Sequence, residues 1–487
     1  MSINKDIIEV ASCTLADLLK SWESKIPETE IKGQLKIPEY QRPYVWGEKQ
    51  INNLLNDWIE HCKLEKSKPL FYLGSIILHK DDSNNLNIID GQQRITTALL
   101  FQKFKTEKIK SNIAHHNSSS IEQIKKNLSY LKAIKNQDIF EYSELDVIDT
   151  IRFEQINVTL VVTHNEDLAY TFFETQNSGG VRLSGSDILK AHHLRAIEST
   201  KMVNYQARKW ETYDNKDVEY VIQLLTKIRF WDNRHWKRFP FYRDEKGIKQ
   251  SITEEFTLNT NSNKEDISYH YSAVKKDGER LLQMHESSYK MLKQPLSDGN
   301  NAIDYIKDYI NLYYVLFKQD THHQIDYNFY EFRNALINGN NGTIFLKELF
   351  EISTIAYVSR FGYYRLYDAA LWLFRVIYSL RVSNARNVRE DSLFKFVYEK
   401  QLIDNILEVF TPDELFNFLK KMRYNFDTSY LVEKDEEMNT VKTRFISSLA
   451  TYFTGIKKSK HYYHDKANFD KDLKKAINEK LTSNERD

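Results

Sequence analysis

Apolar positions change their spacing along this chain. In the first two hundred residues, helical and strand periods alternate. Ile51, Leu54, Leu55, Trp58, Ile59 and Cys62 fall three, four, seven, eight and eleven positions from the first. That is one face of an amphipathic helix over 49–62, and it predicts a core position for Cys62. FYLGSIILH (71–79) and LNIID (86–90) are apolar runs of strand length, and INVTLVVT (156–163) alternates through Val158, Leu160 and Val162. Helices are predicted over 14–22, from Gln92 through QQRITTALLFQKF, over 119–135, over 166–176 and over SGSDILKAHHLRAI. Thr14 can cap the first, and Ser184 with Asp187 fits a capping box on the last.

Beyond residue 200 the strand signals fade. The spacing predicts helices around 201–228, 266–294, 302–318, 363–382, 389–402, 411–422 and 442–454, with polar breaks at 247–265 and 338–343. The expected architecture is α+β over 1–200, followed by a mostly α-helical C-terminal region over 201–487. Only 14 Gly and 7 Pro occur in 487 residues, which favours long helices over a sandwich, barrel or propeller.

The charge balance is 69 Lys+Arg against 68 Asp+Glu, which excludes a wholly basic nucleic-acid binder but leaves room for local basic faces. Two cysteines, Cys13 and Cys62, cannot build a disulfide framework or a four-cysteine zinc site. MSINKDIIEV has no apolar leader core, and no run reaches membrane-spanning length. The expectation is a cytoplasmic protein with no membrane partner.

Three segments carry chemistry. In Asp90-Gly91-Gln92-Gln93-Arg94 a strand ends, a glycine turns the chain, and a helix begins. A helix start presents unpaired amides and the positive end of the dipole, so the junction suits an anion. Gly91 permits close backbone approach, and Arg94 can fork onto a phosphate. Asp90 can hold Mg²⁺ or orient a water, and Gln92 and Gln93 can fix that water or a sugar hydroxyl. The alternative is a plain strand–turn–helix corner with a solvent-facing arginine.

The second segment is IPEYQRPYVW, residues 37–46. Two prolines stiffen it, Arg42 can meet the same phosphates, and Tyr40 or Trp46 can stack on a base. The alternative is a packed Pro/aromatic corner. The third is FFETQNSGGVRLS, leading into Asp187 and Lys190, where Asn177, Ser178 and Arg182 are suitable polar ligands for a nucleotide. Its alternative is an ordinary helix–loop–helix joint.

Together these segments resemble the N-terminal domain of GmrSD-type restriction systems, within the ParB/sulfiredoxin-like superfamily. The matching pieces, IPEYQRPYVW, IIDGQQRITT and FFETQNSGGVRLSGSDILKAH, bracket residues 14–200. The resemblance implies a small α+β domain that binds a nucleoside triphosphate with Mg²⁺ and, in several members, hydrolyses it in bacterial anti-phage defence. Tyr40, Gln41 and Arg42 match the first motif. Asp90, Gly91, Gln92, Gln93 and Arg94 match the second, and Asn177, Gly180, Leu183 and Asp187 the third. Gly179 stands where the family often carries an arginine, which removes one phosphate ligand.

Many relatives end in an HNH nuclease domain, but no such run is present here. HYYHDKANFD (461–470) has histidines and an asparagine without the proline-containing motif, and reads better as a basic tail. This points to a separate nuclease or effector as partner. There is no P-loop either: Gly180-x-x-x-x-Gly185-Ser186 lacks the lysine.

A last patch, KIRFWDNRHWKRFPFYR (227–243), sets Lys227, Arg229, Arg234, Lys237, Arg238 and Arg243 among aromatic rings with one acid, Asp232. Cations for phosphates and rings for bases suit single-stranded DNA, with Arg234, Lys237 and Arg238 as the candidate contacts. The alternative is an element whose rings pack inward while its cations snorkel. Three functions remain open on these residues: an NTPase gating a DNA-targeting effector, a non-catalytic nucleotide or DNA sensor that recruits a nuclease, and a DNA nickase with an unrecognised site.

Overall fold

The computed structural model describes residues 8–64, 69–106, 113–115, 117–135, 148–166, 168–169, 172, 184–233, 239–258, 266–339, 344–384, 388–429, 440–457 and 468–484. The chain divides into two compact units, one of residues 1–183 and 199–211, the other of 184–198 and 212–487.

The first unit is built on a five-stranded mixed sheet of β1 (Ile8–Thr14), β2 (Gln34–Lys36), β3 (Phe71–Lys80), β4 (Asn85–Asp90) and β5 (Ile156–Thr163), in the order β1-β5-β3-β4-β2. β3 runs parallel to β5 and antiparallel to β4. Strand alternation then divides the apolar side chains between two faces. Ile76, Leu78, Ile88, Val158, Leu160 and Val162 enter the main core with Leu15, Leu18, Trp58, Ile95 and Ala98. Ile77, Ile89 and Val161 point the other way, against Ala169, Tyr40 and Phe172. The helices of this unit include α1 (Leu15–Leu19), α2 (Glu48–Cys62), α3 (Gln92–Thr106) and α4 (Ser118–Lys135). The predicted capping box at Thr14 is present. Cys62, expected in the core, is exposed: α2 buries Ile51, Leu55 and Trp58, and its last turn runs past the core edge.

The second unit is helical. It opens with α5 (Gly185–Arg195), which carries the expected Ser184–Asp187 capping box. α6 (Thr200–Trp210) belongs to the first unit, and the second resumes with α7 (Asn215–Asn233), α8 (Glu245–Thr253), α9 (Asn300–Tyr313), α10 (Tyr327–Phe332), α11 (Ile344–Phe361) and α12 (Leu366–Ile377), followed among the described residues by six further helices between Ser379 and Asn484. α11 and α12 are buried around almost their whole circumference and form the centre of this core.

Two expectations fail in this unit. The helix predicted over 266–294 is a hairpin of β6 (Ser272–Asp277) and β7 (Arg280–Glu286). Its two-residue loop starts at Gly278 with φ +61°, the conformation that tight hairpins require. The polar break predicted from 247 instead holds most of α8, because Asp244 accepts from Gly247 N at 2.9 Å and caps it.

Candidate functional site

The Asp90–Arg94 segment lies where β4 gives way to α3. Gly91 has φ +98°, and a Cβ there would lie 2.9 Å from Ile76 Cγ1, so only glycine fits this turn without displacing β3. Gln92, Gln93 and Arg94 form the first turn of α3.

Arg94 folds back across the sheet rather than outward. Its Nη1 donates to Leu73 O at 3.3 Å, and its Nη2 donates to Ser75 O at 2.7 Å and to Asp90 Oδ2 at 3.0 Å. Room for this comes from Gly74, at φ +115°, where a Cβ would lie 2.0 Å from Nη1. Both members of the pair keep partial access, 23% for Arg94 and 24% for Asp90, so the pair stands at a surface opening rather than in the core.

Gln93 is buried and its carboxamide clamps the neighbouring loop. Oε1 accepts from Val45 N at 2.9 Å and from Trp46 N at 3.3 Å, while Nε2 donates to Pro43 O at 3.0 Å. Gln92 is buried too, but its Oε1 has no hydrogen-bond partner. A buried unpaired carbonyl oxygen costs about 1–3 kcal/mol, and a ligand donor would relieve it.

The 37–46 loop is anchored beside this junction. Gln41 Nε2 donates to Ile89 O at 2.9 Å, one residue before Asp90. Tyr44 is fully buried, its hydroxyl 2.8 Å from Thr97 Oγ1 and accepting from Asn127 Nδ2 at 3.1 Å, and burial pushes its phenol above the usual tyrosine range. Asn127 Nδ2 also donates to Trp46 O at 2.7 Å. Tyr40 packs on the Ile77/Ile89 side and its hydroxyl donates to Glu166. Arg42 is half-buried.

The structure thus brings Tyr40, Gln41, Gln93, Asp90 and Arg94 to one end of the sheet. Asn177 and Arg182 lie outside the described residues. Asp187 and Lys190 are in the second unit, where Asp187 completes the cap of α5 and Lys190 is buried. The sequence reading missed Gly74, Asn127 and Glu166. Only Gly74 left a signal, as a glycine inside a strand pattern.

The basic patch divides. Arg234, Lys237 and Arg238 lie outside the described residues. Lys227 is buried in an ion pair with Glu348, and Arg229 is buried with Nε 2.8 Å from Glu255 Oε1 and Nη1 donating to Leu292 O and Gln294 O. Phe230 and Phe239 meet edge-on with centroids 4.9 Å apart, both buried. These two cations and two rings are interior, so they offer nothing to a nucleic acid.

Among the described residues, no helix is long and apolar enough to cross a membrane. A family model described as the GmrSD restriction endonuclease N-terminal domain matches residues 23–194, a span that holds the whole Tyr40–Arg94 arrangement. A second, described only as a family of unknown function (DUF7834), matches residues 202–435. No curated protein matches the chain.

Proposed function

We propose that this chain, whose residues 23–194 are a GmrSD-type restriction-system N-terminal domain, is a nucleotide-binding component of a restriction-type defence system. The observation that carries the reading is the start of α3. Asp90 stands at a strand end, Gly91 lets the backbone approach a ligand, and Gln92 holds a buried acceptor with no partner inside the protein. A triphosphate at a helix start meets oriented N–H groups and the dipole's positive end. A base or sugar donor would pair with Gln92 Oε1.

Mg²⁺ fits the donor chemistry. This ion uses one or two carboxylates with phosphate oxygens and keeps several waters, and Asp90 supplies one partly accessible carboxylate. When bound, the ion would neutralise phosphate charge. Arg94 acts on Asp90: its Nη2 holds one carboxylate oxygen and so fixes the orientation of the other. A phosphate taken directly by Arg94 would compete with Asp90 for that same nitrogen.

Hydrolysis of the nucleotide is the active form of this reading, with a separate DNA-cutting partner as the effector. The engaged guanidinium favours a second form, a nucleotide sensor without turnover, because a phosphate-stabilising arginine is then unavailable unless the pair opens. Calorimetric titration of each nucleoside triphosphate with Mg²⁺, alongside a phosphate-release assay, tests both. The enzyme reading expects saturable binding with turnover that Asp90→Asn abolishes while affinity holds. Binding without turnover leaves the sensor, and no binding by the folded protein refutes both.

A further inference from the structure

The second unit holds a cluster unrelated to the Asp90 junction. α5 carries two adjacent histidines in its last turn, and both rings turn to one oxygen. His192 Nε2 lies 3.1 Å and His193 Nδ1 3.5 Å from Asp298 Oδ1. The rings stand edge to face with centroids 4.9 Å apart. Neighbouring residues on a helix ordinarily diverge by about 100°, so this convergence needs a partner placed between them.

Gly299 places that partner. It has φ +88° and precedes α9, and a Cβ there would lie 3.3 Å from Ile197 Cγ1 and 3.6 Å from Ala196 O. The turn therefore sits tight against the end of α5, and the Asp298 carboxylate is held beneath the two rings.

The polar groups are poorly served as they stand. His193 is fully buried; the Phe256 backbone lies against its ring, but Nε2 makes no hydrogen bond of good geometry. On the other side of the ring, Nδ1 faces Gly299 N at 3.5 Å and the carboxylate at 3.5 Å. Both are at the outer limit of a hydrogen bond. A cation among the three atoms would take the Nδ1 lone pair directly.

The dimensions suit one. The three ligand atoms lie within 4.8 Å of one another. Ligands bound tetrahedrally at about 2.0–2.1 Å stand about 3.4 Å apart, close to the two separations seen. Two imidazoles and a carboxylate are a borderline donor set, right for a Zn²⁺-class ion and wrong for Mg²⁺ or Ca²⁺, which take oxygen. His192 and Asp298 keep 32% and 29% of their side chains accessible, which leaves a fourth position open to water.

We propose that His192, His193 and Asp298 bind one Zn²⁺-class divalent ion, which ties the end of α5 to the turn before α9. The competing arrangement is a plain His192–Asp298 hydrogen bond with His193 packed beside it.

The test uses the full chain, stripped with a chelator and titrated with Zn²⁺, with Co²⁺ as a spectroscopic stand-in. One tight Zn²⁺ per chain is expected, together with a visible tetrahedral Co²⁺ band. His192→Gln and Asp298→Asn should each weaken binding at least about tenfold, the smallest effect usual even for outer-shell changes. His322→Gln, in the His322–His323 pair elsewhere, should leave binding unchanged. Wild-type protein with no saturable Zn²⁺ uptake and no Co²⁺ band would overturn the site without recourse to any variant. Unaltered stoichiometry and affinity in folded Asp298→Asn would do the same.

Discussion

A Cβ on Gly74 would lie 2.0 Å from Arg94 Nη1, so the arginine crosses β3 only because that position has no side chain. The consequence reaches Asp90, whose carboxylate the same guanidinium holds at 3.0 Å. Gly74→Ala should therefore do two things. At φ +115° it strains the strand, costing about 1–3 kcal/mol, and it expels Arg94 from the carbonyls of Leu73 and Ser75. Because the two effects share one contact, Gly74→Ala should cost less in an Arg94→Ala background, with a coupling of about 0.5–3 kcal/mol in denaturant unfolding. Additive costs would mean that the two residues do not meet.

Gln93 is expected to act on the loop before it acts on any ligand. Replacing it with leucine strands Val45 N, Trp46 N and Pro43 O, which its carboxamide now satisfies. Loss of these contacts should cost roughly 2–4 kcal/mol, since each buried unpaired group costs about 1–3. Hydrogen exchange of the Val45 and Trp46 amides should speed up more than exchange in β5. Protection that stays uniform would show that the loop is held by Tyr44 and Asn127 without Gln93.

The junction was legible because LNIID, Gly91 and the helix after it are all local signals. Thr14 and Ser184 were legible for the same reason: a capping box is written within four residues. The partners of Arg94 were not, because Leu73 O and Ser75 O come from another strand and carry no side-chain signature. The 272–286 hairpin was not, since its one local signal is Gly278 at the first position of a two-residue loop. The cations at 227 and 229 looked like surface because Glu348 and Glu255, which neutralise them, are far along the chain. Burial of charge depends on partners that spacing alone does not show.

That division gives a test of the basic segment. Arg229→Met removes one partner of a buried pair and should destabilise the second unit by about 3–5 kcal/mol. Lys227→Met should act in the same direction. Neither should alter the salt dependence of DNA affinity, since both cations face carboxylates. Arg234→Ala, Lys237→Ala and Arg238→Ala together should lower the slope by up to about three phosphates if the remaining stretch contacts DNA. A salt titration of DNA binding decides. Equal slopes in the triple variant would move DNA recognition to a partner, and a reduced slope in Lys227→Met would contradict its burial.

The last expectation concerns pH and a single carboxyl. Glu351 on α11 has no solvent access, and burial pushes it up to about 7 from an ordinary 4.5. The Tyr220 hydroxyl opposes the shift by donating to Oε2 at 2.5 Å, and Lys347 and Lys318 also oppose it, while Glu348 adds to it. Lys347 does not hydrogen-bond the carboxylate, its Nζ standing 3.9 Å from Oε1. Between these two values the folded chain keeps a proton that the unfolded chain has released. Unfolding in that window therefore releases this proton, so the contribution of Glu351 to stability falls as pH rises through it and levels off above about 7. One such group contributes up to about 3 kcal/mol across the window, at about 1.4 kcal/mol per pH unit. The buried phenols of Tyr220 and Tyr313 are pushed further up, so they stay neutral throughout and add no slope. Glu351→Gln keeps the shape and removes the titration, so the stability of wild type relative to this variant should fall over the same range. Denaturant unfolding at several pH values, with hydrogen exchange read on α11, measures both slopes. Parallel slopes for wild type and Glu351→Gln would show that this carboxyl ionises at its ordinary pH despite its burial.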